Sequence, residues 1–193
     1  MIGTRSIARV DGVDWPDPED ALRARTFDAL LDRPELDRAY RTARIILLDP
    51  AEAEDATHDA ALTAWRHFGE LRDSARFEAW FGRILVNACR DRLRARRRLP
   101  ISIETAPVAA LGSRWSPDPV DSIATAEVLR AALRRLSPEH REVIALRYQA
   151  DLTVEEIARR TSTRPGTVKS RLHYALRHLR TSVEAADERS AIR

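Results

Sequence analysis

The chain has 193 residues, 44% of them hydrophobic and 33% charged, enough for one medium domain or two small ones with modest cores. A single cysteine, Cys89, excludes an intramolecular disulfide, and no segment approaches the roughly 18 consecutive apolar residues of a membrane span. The net charge of +3 conceals an asymmetry, since residues 1–60 sum to −6, residues 61–100 to +6 and residues 137–193 to +3. An acidic front and two basic blocks suggest one protein partner and two nucleic-acid surfaces.

Residues 1–25 are polar and rich in Asp and Pro, which predicts a flexible N-terminal arm. Nothing there resembles the apolar core of a signal peptide, so a cytoplasmic protein without membrane insertion is expected. Helical periodicity starts near Phe27 and runs through "LDRAYRTARIILLD" to the Asp49-Pro50 break. The segment "AEAEDATHDAALTAWRHF" stacks Ala61, Ala64, Trp65 and Phe68 on one helical face, and "GELRDS" reads as a loop. A long helix is predicted from about Ala75 to Arg98, with Phe77, Trp80, Phe81, Ile84 and Ala88 on one stripe. It ends in Arg90, Arg92, Arg94, Arg96, Arg97 and Arg98 against a lone acid, Asp91. Residues 26–98 thus form a first helical domain.

Residues 99–122 carry four of the ten prolines without a clean period, the composition of a linker. Periodicity returns near Ile123 and defines a second domain over residues 123–182, with 183–193 as a C-terminal tail. In "LSPEHREVIALRY", Ser137 is placed to cap a helix and Pro138 to occupy its first position. In "LTVEEIARR", Thr153 and Glu156 have the spacing of a capping box. After the turn "TSTR" comes "PGTVKSRLHYALRHLR", where Val168, Leu172, Ala175, Leu176 and Leu179 repeat at helical spacing. Lys169, Ser170, Arg171, His173 and Arg177 fall on the opposite side. Two short helices around a tight turn, the second cationic near its start, predict a helix-turn-helix. A major groove admits one helix, and its first residues reach the base edges.

These residues carry a family resemblance. "LRRLSPEHREVIALRY", "LTVEEIARR" and "GTVKSRLHYALRHLR" resemble the fourth domain of bacterial RNA polymerase sigma factors, most closely the extracytoplasmic-function branch. "DPAEAEDATHDAALTAWRHF" and "FEAWFGRILVNACRDRLRARRR" resemble the second domain of that branch, in the same order and spacing. The resemblance implies that Glu54, Asp55, His58 and Asp59 dock on the clamp helices of the polymerase's largest subunit. It implies that Asn87, Arg90, Asp91 and Arg94 meet the minus-ten element of promoter DNA. It also implies that Arg164, Thr167, Lys169, Ser170, Arg171, His173 and Arg177 read the minus-thirty-five element. Core RNA polymerase and promoter DNA are the expected partners, and an anti-sigma protein is a further candidate. The family usually carries Gln where His58 stands and a larger apolar residue where Ala61 stands. Its recognition turn usually has an apolar residue and a glycine in place of Thr161 and Ser162.

Other constellations are weaker. His58-Asp59 has the look of a metal-phosphohydrolase dipeptide, but no further ligands stand at suitable positions. The five histidines show no metal spacing, and no Gly-rich phosphate loop is present. Trp80 and Phe81 fit the apolar stripe better than a base-stacking platform. The expectation is therefore an all-α protein of two small helical domains joined by a Pro-rich linker. It is read as a sigma factor without enzymatic activity, cofactor or metal. The alternative is a stand-alone helix-turn-helix regulator whose first domain senses a ligand or dimerises.

Overall fold

The computed structural model describes residues 17–98 and 122–191, and among them there are helices and no strand. The helices are α1 (Pro18–Leu30), α2 (Arg33–Leu47), α3 (Pro50–His67), α4 (Phe77–Arg98), α5 (Ser122–Arg134), α6 (Pro138–Tyr148), α7 (Val154–Thr161) and α8 (Pro165–Ala191). Short 3-10 turns at Phe68–Glu70 and Ser74–Arg76 join α3 to α4. The expected linker up to residue 121, and residues 1–16 of the expected arm, lie outside the described residues.

Local chemistry sets the helix starts. The Asp32 side chain accepts from the Glu35 amide at 2.9 Å, and Asp49 accepts from the Glu52 amide at 3.0 Å. Each is followed by a proline within the first two helical positions, where the missing N–H costs nothing. Ser137 and Pro138 open α6 in the same way. Thr153 and Glu156 form the predicted capping box at the start of α7. Between α7 and α8, Ser162 takes the left-handed conformation (φ 53°), the position where the family usually has glycine.

In the first domain α3 presents Ala53, Ala56, Ala60 and Ala64, all fully buried, so that α2 and α4 approach it closely. Ile46, Leu47 and Phe81 fill the centre. Phe27 of α1 closes one end, meeting Trp65, Phe68 and Phe77 edge to face at 5.2–5.9 Å. The second domain packs α5 to α8 around Val143, Leu146, Ile157, Val168 and Ala175. The two cores touch. Ala145 of α6 belongs to the first apolar cluster, and Val86 of α4 belongs to the second.

Four features depart from the sequence reading. Helix α1 begins at Pro18, inside the stretch expected to be a flexible arm. The periodicity from Phe27 to Asp49 is two helices, because Asp32 caps a new start with Pro34 close behind. Helix α8 continues to Ala191, through most of the expected tail. Leu176 remains 38% exposed although it shares the apolar spacing of Val168 and Leu172.

Candidate functional site

The α3 residues singled out for docking form an outward ridge. Glu54, Asp55, His58 and Asp59 are all exposed, since the alanine stripe of that helix faces inward. Asp55 and Asp59 do not stand alone. Arg92 of α4 reaches Asp59 at 2.6 Å and Asp55 at 3.1 Å, with Glu52 at 3.6 Å. Those carboxylates, together with hydrogen bonding to Asp59, hold the Arg92 guanidinium above its ordinary pKa against the opposing effect of burial. Beside the ridge, a shallow groove between α1 and α3 is lined by Phe27, His58, Ala61, Leu62 and Trp65. Leu62 is 40% exposed and Trp65 36%, so this face combines acid groups with apolar anchors. The sequence reading places Trp65 on one helical face with Ala61, Ala64 and Phe68; in the structure it lies at the groove's rim with Arg23 over its ring at 5.0 Å.

The cationic end of α4 is dispersed rather than gathered. Arg92 and Arg96, one turn apart, both face α3, and Arg96 reaches Asp49 at 3.2 Å and Glu52 at 3.3 Å. Arg94 pairs with Asp91 on the same helix, and both remain exposed beside Asn87. Arg90 points elsewhere. Its Nε donates to Glu142 at 2.9 Å, its Nη2 to the same carboxylate at 2.7 Å, and Nη2 also to the Thr161 carbonyl at 3.2 Å. Of the four residues assigned to the minus-ten element, three share an exposed face and Arg90 is turned into the second domain.

The first turns of α8 carry the remaining candidates. Arg164, Lys169, Ser170, His173 and Arg177 are exposed, whereas Thr167 and Arg171 are half-buried. The Ser170 hydroxyl donates to the Thr167 carbonyl at 3.0 Å, leaving its oxygen lone pairs for an outside donor. His140 of α6 lies over Tyr174 with ring centroids 4.6 Å apart. Burial, and then the charge of Arg171, keep His140 below its ordinary pKa, so its ring is neutral near pH 7. Arg171 therefore sits against α6 more than the sequence spacing implies.

Three further groups escaped the sequence reading because their partners are remote. Arg141 donates to the Ile46 carbonyl at the end of α2, at 2.9 Å. Arg160 donates to the Glu78 carbonyl at 3.4 Å and lies directly on Gly82, where a Cβ would stand 2.4 Å from its guanidinium. Glu142 is the acceptor for Arg90, with only 6% of its side chain exposed. No group of three or more metal-ligating side chains occurs among the described residues, and no helix there is long and apolar enough to cross a membrane.

The chain matches two known families in the order predicted. Residues 31–99 match Sigma-70 region 2 and residues 132–181 match Sigma-70, region 4. It is 33% identical over 146 residues to the ECF RNA polymerase sigma factor SigL of Mycobacterium tuberculosis, covering 75% of this chain and 82% of that protein. It is 30% identical over 155 residues to the RNA polymerase sigma-E factor of Streptomyces avermitilis, covering 80% and 84%. Its fold is similar to that of the sigma factor RpoE crystallised with the anti-sigma factor NepR from Bartonella quintana (TM-score 0.57, 24% identity, 86% and 96% covered). It is also similar to CnrH in complex with the cytosolic domain of CnrY (TM-score 0.56, 22% identity, 88% and 99% covered). The region 2 match removes the sensor domain on which the stand-alone regulator depended, and the chain belongs to the extracytoplasmic-function RNA polymerase sigma factors, proteins of transcription initiation.

Proposed function

We propose that the two domains divide the work of initiation. The α3 ridge of Glu54, Asp55, His58 and Asp59 docks on the clamp helices of core polymerase. The observation that carries this reading is the pairing of an exposed acidic ridge with a groove that leaves Leu62 and Trp65 partly in solvent. Carboxylates steer a cationic partner, and large apolar side chains supply the anchors that make such a contact tight. Asn87, Asp91 and Arg94, with Arg90 once released, meet the minus-ten element and hold its strand open. Helix α8 enters the minus-thirty-five major groove, led by Arg164, Lys169, Ser170 and His173.

Sequence selection here is a binding function. The chain supplies contacts and leaves phosphoryl transfer to the polymerase, so it has no enzymatic activity of its own and acts where the polymerase is, in the cytoplasm. RpoE in the similar structure is held by an anti-sigma factor, and a restraining protein of that kind is a candidate partner. The test is run-off transcription with purified core polymerase, with and without the chain, on promoters drawn from a randomised pool. Enrichment of sequences sharing two spaced elements, only when the chain is present, is the expected result. Equal enrichment without it would overturn the reading.

A further inference from the structure

The outward side of α8 carries an aromatic residue that belongs to none of the sets assigned to polymerase or DNA. Leu172 and Ala175 are buried, so Ser170, Tyr174 and Arg177, spaced four and three residues apart, share the opposite side of the helix. A groove that admits Ser170 and Arg177 therefore also meets Tyr174 between them. Tyr174 is 48% exposed, and no hydrogen bond within the described residues engages its hydroxyl.

Exposure alone would make Tyr174 an ordinary surface aromatic. A partner on another helix sets it apart. The His140 ring of α6 lies against it, with centroids 4.6 Å apart and planes inclined by 30°. His140 is itself held, since its Nδ1 lies 2.9 Å from the hydroxyl of Ser137, the residue that caps α6. A ring packed against a fixed neighbour has little rotamer freedom left to lose, so its hydroxyl is presented in one place before any DNA arrives. The charges of Arg171 and Glu139 act on His140 in opposite senses, and its ring stays neutral near pH 7. The pair therefore offers DNA a hydrogen-bonding group and no added cation.

From this we infer that Tyr174 makes a neutral hydrogen bond to the minus-thirty-five DNA through its hydroxyl, and that His140 is the positioning residue that aims it. The inference rests on the proposed entry of α8 into that major groove. Two kinds of contact then lie on one row of the helix. Arg177 attracts phosphate by charge and releases counterions, which makes its contribution fall with salt. The Tyr174 bond displaces no counterion, so its contribution is independent of salt.

The test uses the full chain reconstituted with core polymerase and measures its binding to a selected promoter duplex over a series of salt concentrations. Tyr174→Phe keeps the ring and its stack and removes only the hydroxyl. Its affinity should fall by about two- to tenfold with the salt slope unchanged, whereas Arg177→Ala should lower the slope by about one. His140→Ala should show a similar loss at unchanged slope. The double variant His140→Ala, Tyr174→Phe should bind no worse than Tyr174→Phe, because His140 acts only through that hydroxyl. Additive losses would overturn the positioning role. His140→Phe, which keeps a ring against Tyr174, should bind nearly as well as wild type, and a loss as large as that of Tyr174→Phe would count against the inference. This arm decides if His140→Ala fails to fold by circular dichroism. Selection from randomised promoters then locates the bond: a preference lost at one base pair puts it on a base edge, and an equal loss for all sequences puts it on phosphate. Unchanged binding by Tyr174→Phe, or a lowered salt slope, would overturn the inference. Should Arg177→Ala leave binding unchanged as well, the placement of α8 in the groove falls; with Arg177→Ala effective, only the Tyr174 contact does.

Discussion

The Arg90 guanidinium meets the Glu142 carboxylate at two points, 2.9 and 2.7 Å, between residues 52 positions apart in the chain. Planar fork-to-carboxylate pairing of this kind is geometrically demanding, which makes Arg difficult to replace by Lys. Glu142 has only 6% of its side chain exposed, so losing Arg90 strands a buried charge rather than releasing one to water. We predict that Arg90→Ala lowers stability by about 2–3 kcal/mol, measured by urea denaturation. The Arg90→Ala, Glu142→Ala double variant should recover part of that loss. Strict additivity of the two single changes would show that the pair is not coupled. A promoter defect in Arg90→Ala is therefore interpretable only beside its stability.

Ser162 gives a backbone prediction. Its φ of 53° is a left-handed conformation that glycine adopts freely and a β-branched side chain resists. Ser162→Gly should be neutral or stabilising by up to about 1 kcal/mol. Ser162→Val should cost about 1–3 kcal/mol. A clear fall in Tm for the glycine variant would contradict this account of the turn.

Cys89 is fully buried, and burial pushes its thiol pKa up to about 12. The folded chain should react with an aromatic disulfide at pH 8 far more slowly than the chain in denaturant, because the thiolate is the reactive form. The linkage has a definite sign. Unfolded cysteine ionises near pH 8.5, whereas the folded thiol stays neutral, so this contribution is complete below about pH 8.5. It is lost as pH rises toward about 12. Replacement by Ser or Ala should flatten that alkaline decline, and an equal decline in both variants would assign it to other groups.

The features most legible in the sequence are those whose partners lie within one helical turn. Ser137 and Thr153 could be assigned as caps because each needs only the amide three residues on. The break at Asp32 was equally local, yet the apolar period carried across it and concealed a helix start. The α4 arginines show the limit. Counted along the chain they form one cationic run, but helical spacing puts Arg92 and Arg96 on the α3 side and turns Arg90 to Glu142. The spacing of Arg92 and Arg96 was in the sequence; the acids awaiting them were a tertiary matter. Arg141 and Arg160 bond to backbone carbonyls of Ile46 and Glu78, which no residue identity announces.

Docking is separable from folding only with a gentle substitution. Reversing Asp55 and Asp59 to Arg should weaken binding to core polymerase, but it also places new cations against Arg92, which now holds both carboxylates. The neutral double variant Asp55→Asn, Asp59→Asn should weaken polymerase binding by about tenfold or more, chiefly through the association rate at low salt. Its Tm should fall by only a few degrees, since exposed pairs contribute little. If full-length Asn and Arg variants both captured core polymerase as well as wild type, the docking face would lie elsewhere.

If α8 reads the minus-thirty-five element as proposed, its cations should divide between two roles. Ser170 and His173 stand exposed near the start of α8, while Arg171 is half-buried beside His140 and Glu139. As a half-buried side chain, Arg171 should have less freedom to lose on approaching a base edge. Arg177 lies further along and is exposed, suited to a phosphate. Replacing Arg171 by Ala should cost about 1–3 kcal/mol at one or two upstream base pairs and leave the minus-ten preference unchanged. Replacing Arg177 by Ala should weaken all sequences alike and lower the salt slope by about one. The measurement is selection from randomised promoters with reconstituted holoenzyme at two salt concentrations. A shifted minus-ten preference in the Arg171 variant, or no change at either element, would remove α8 from the minus-thirty-five groove.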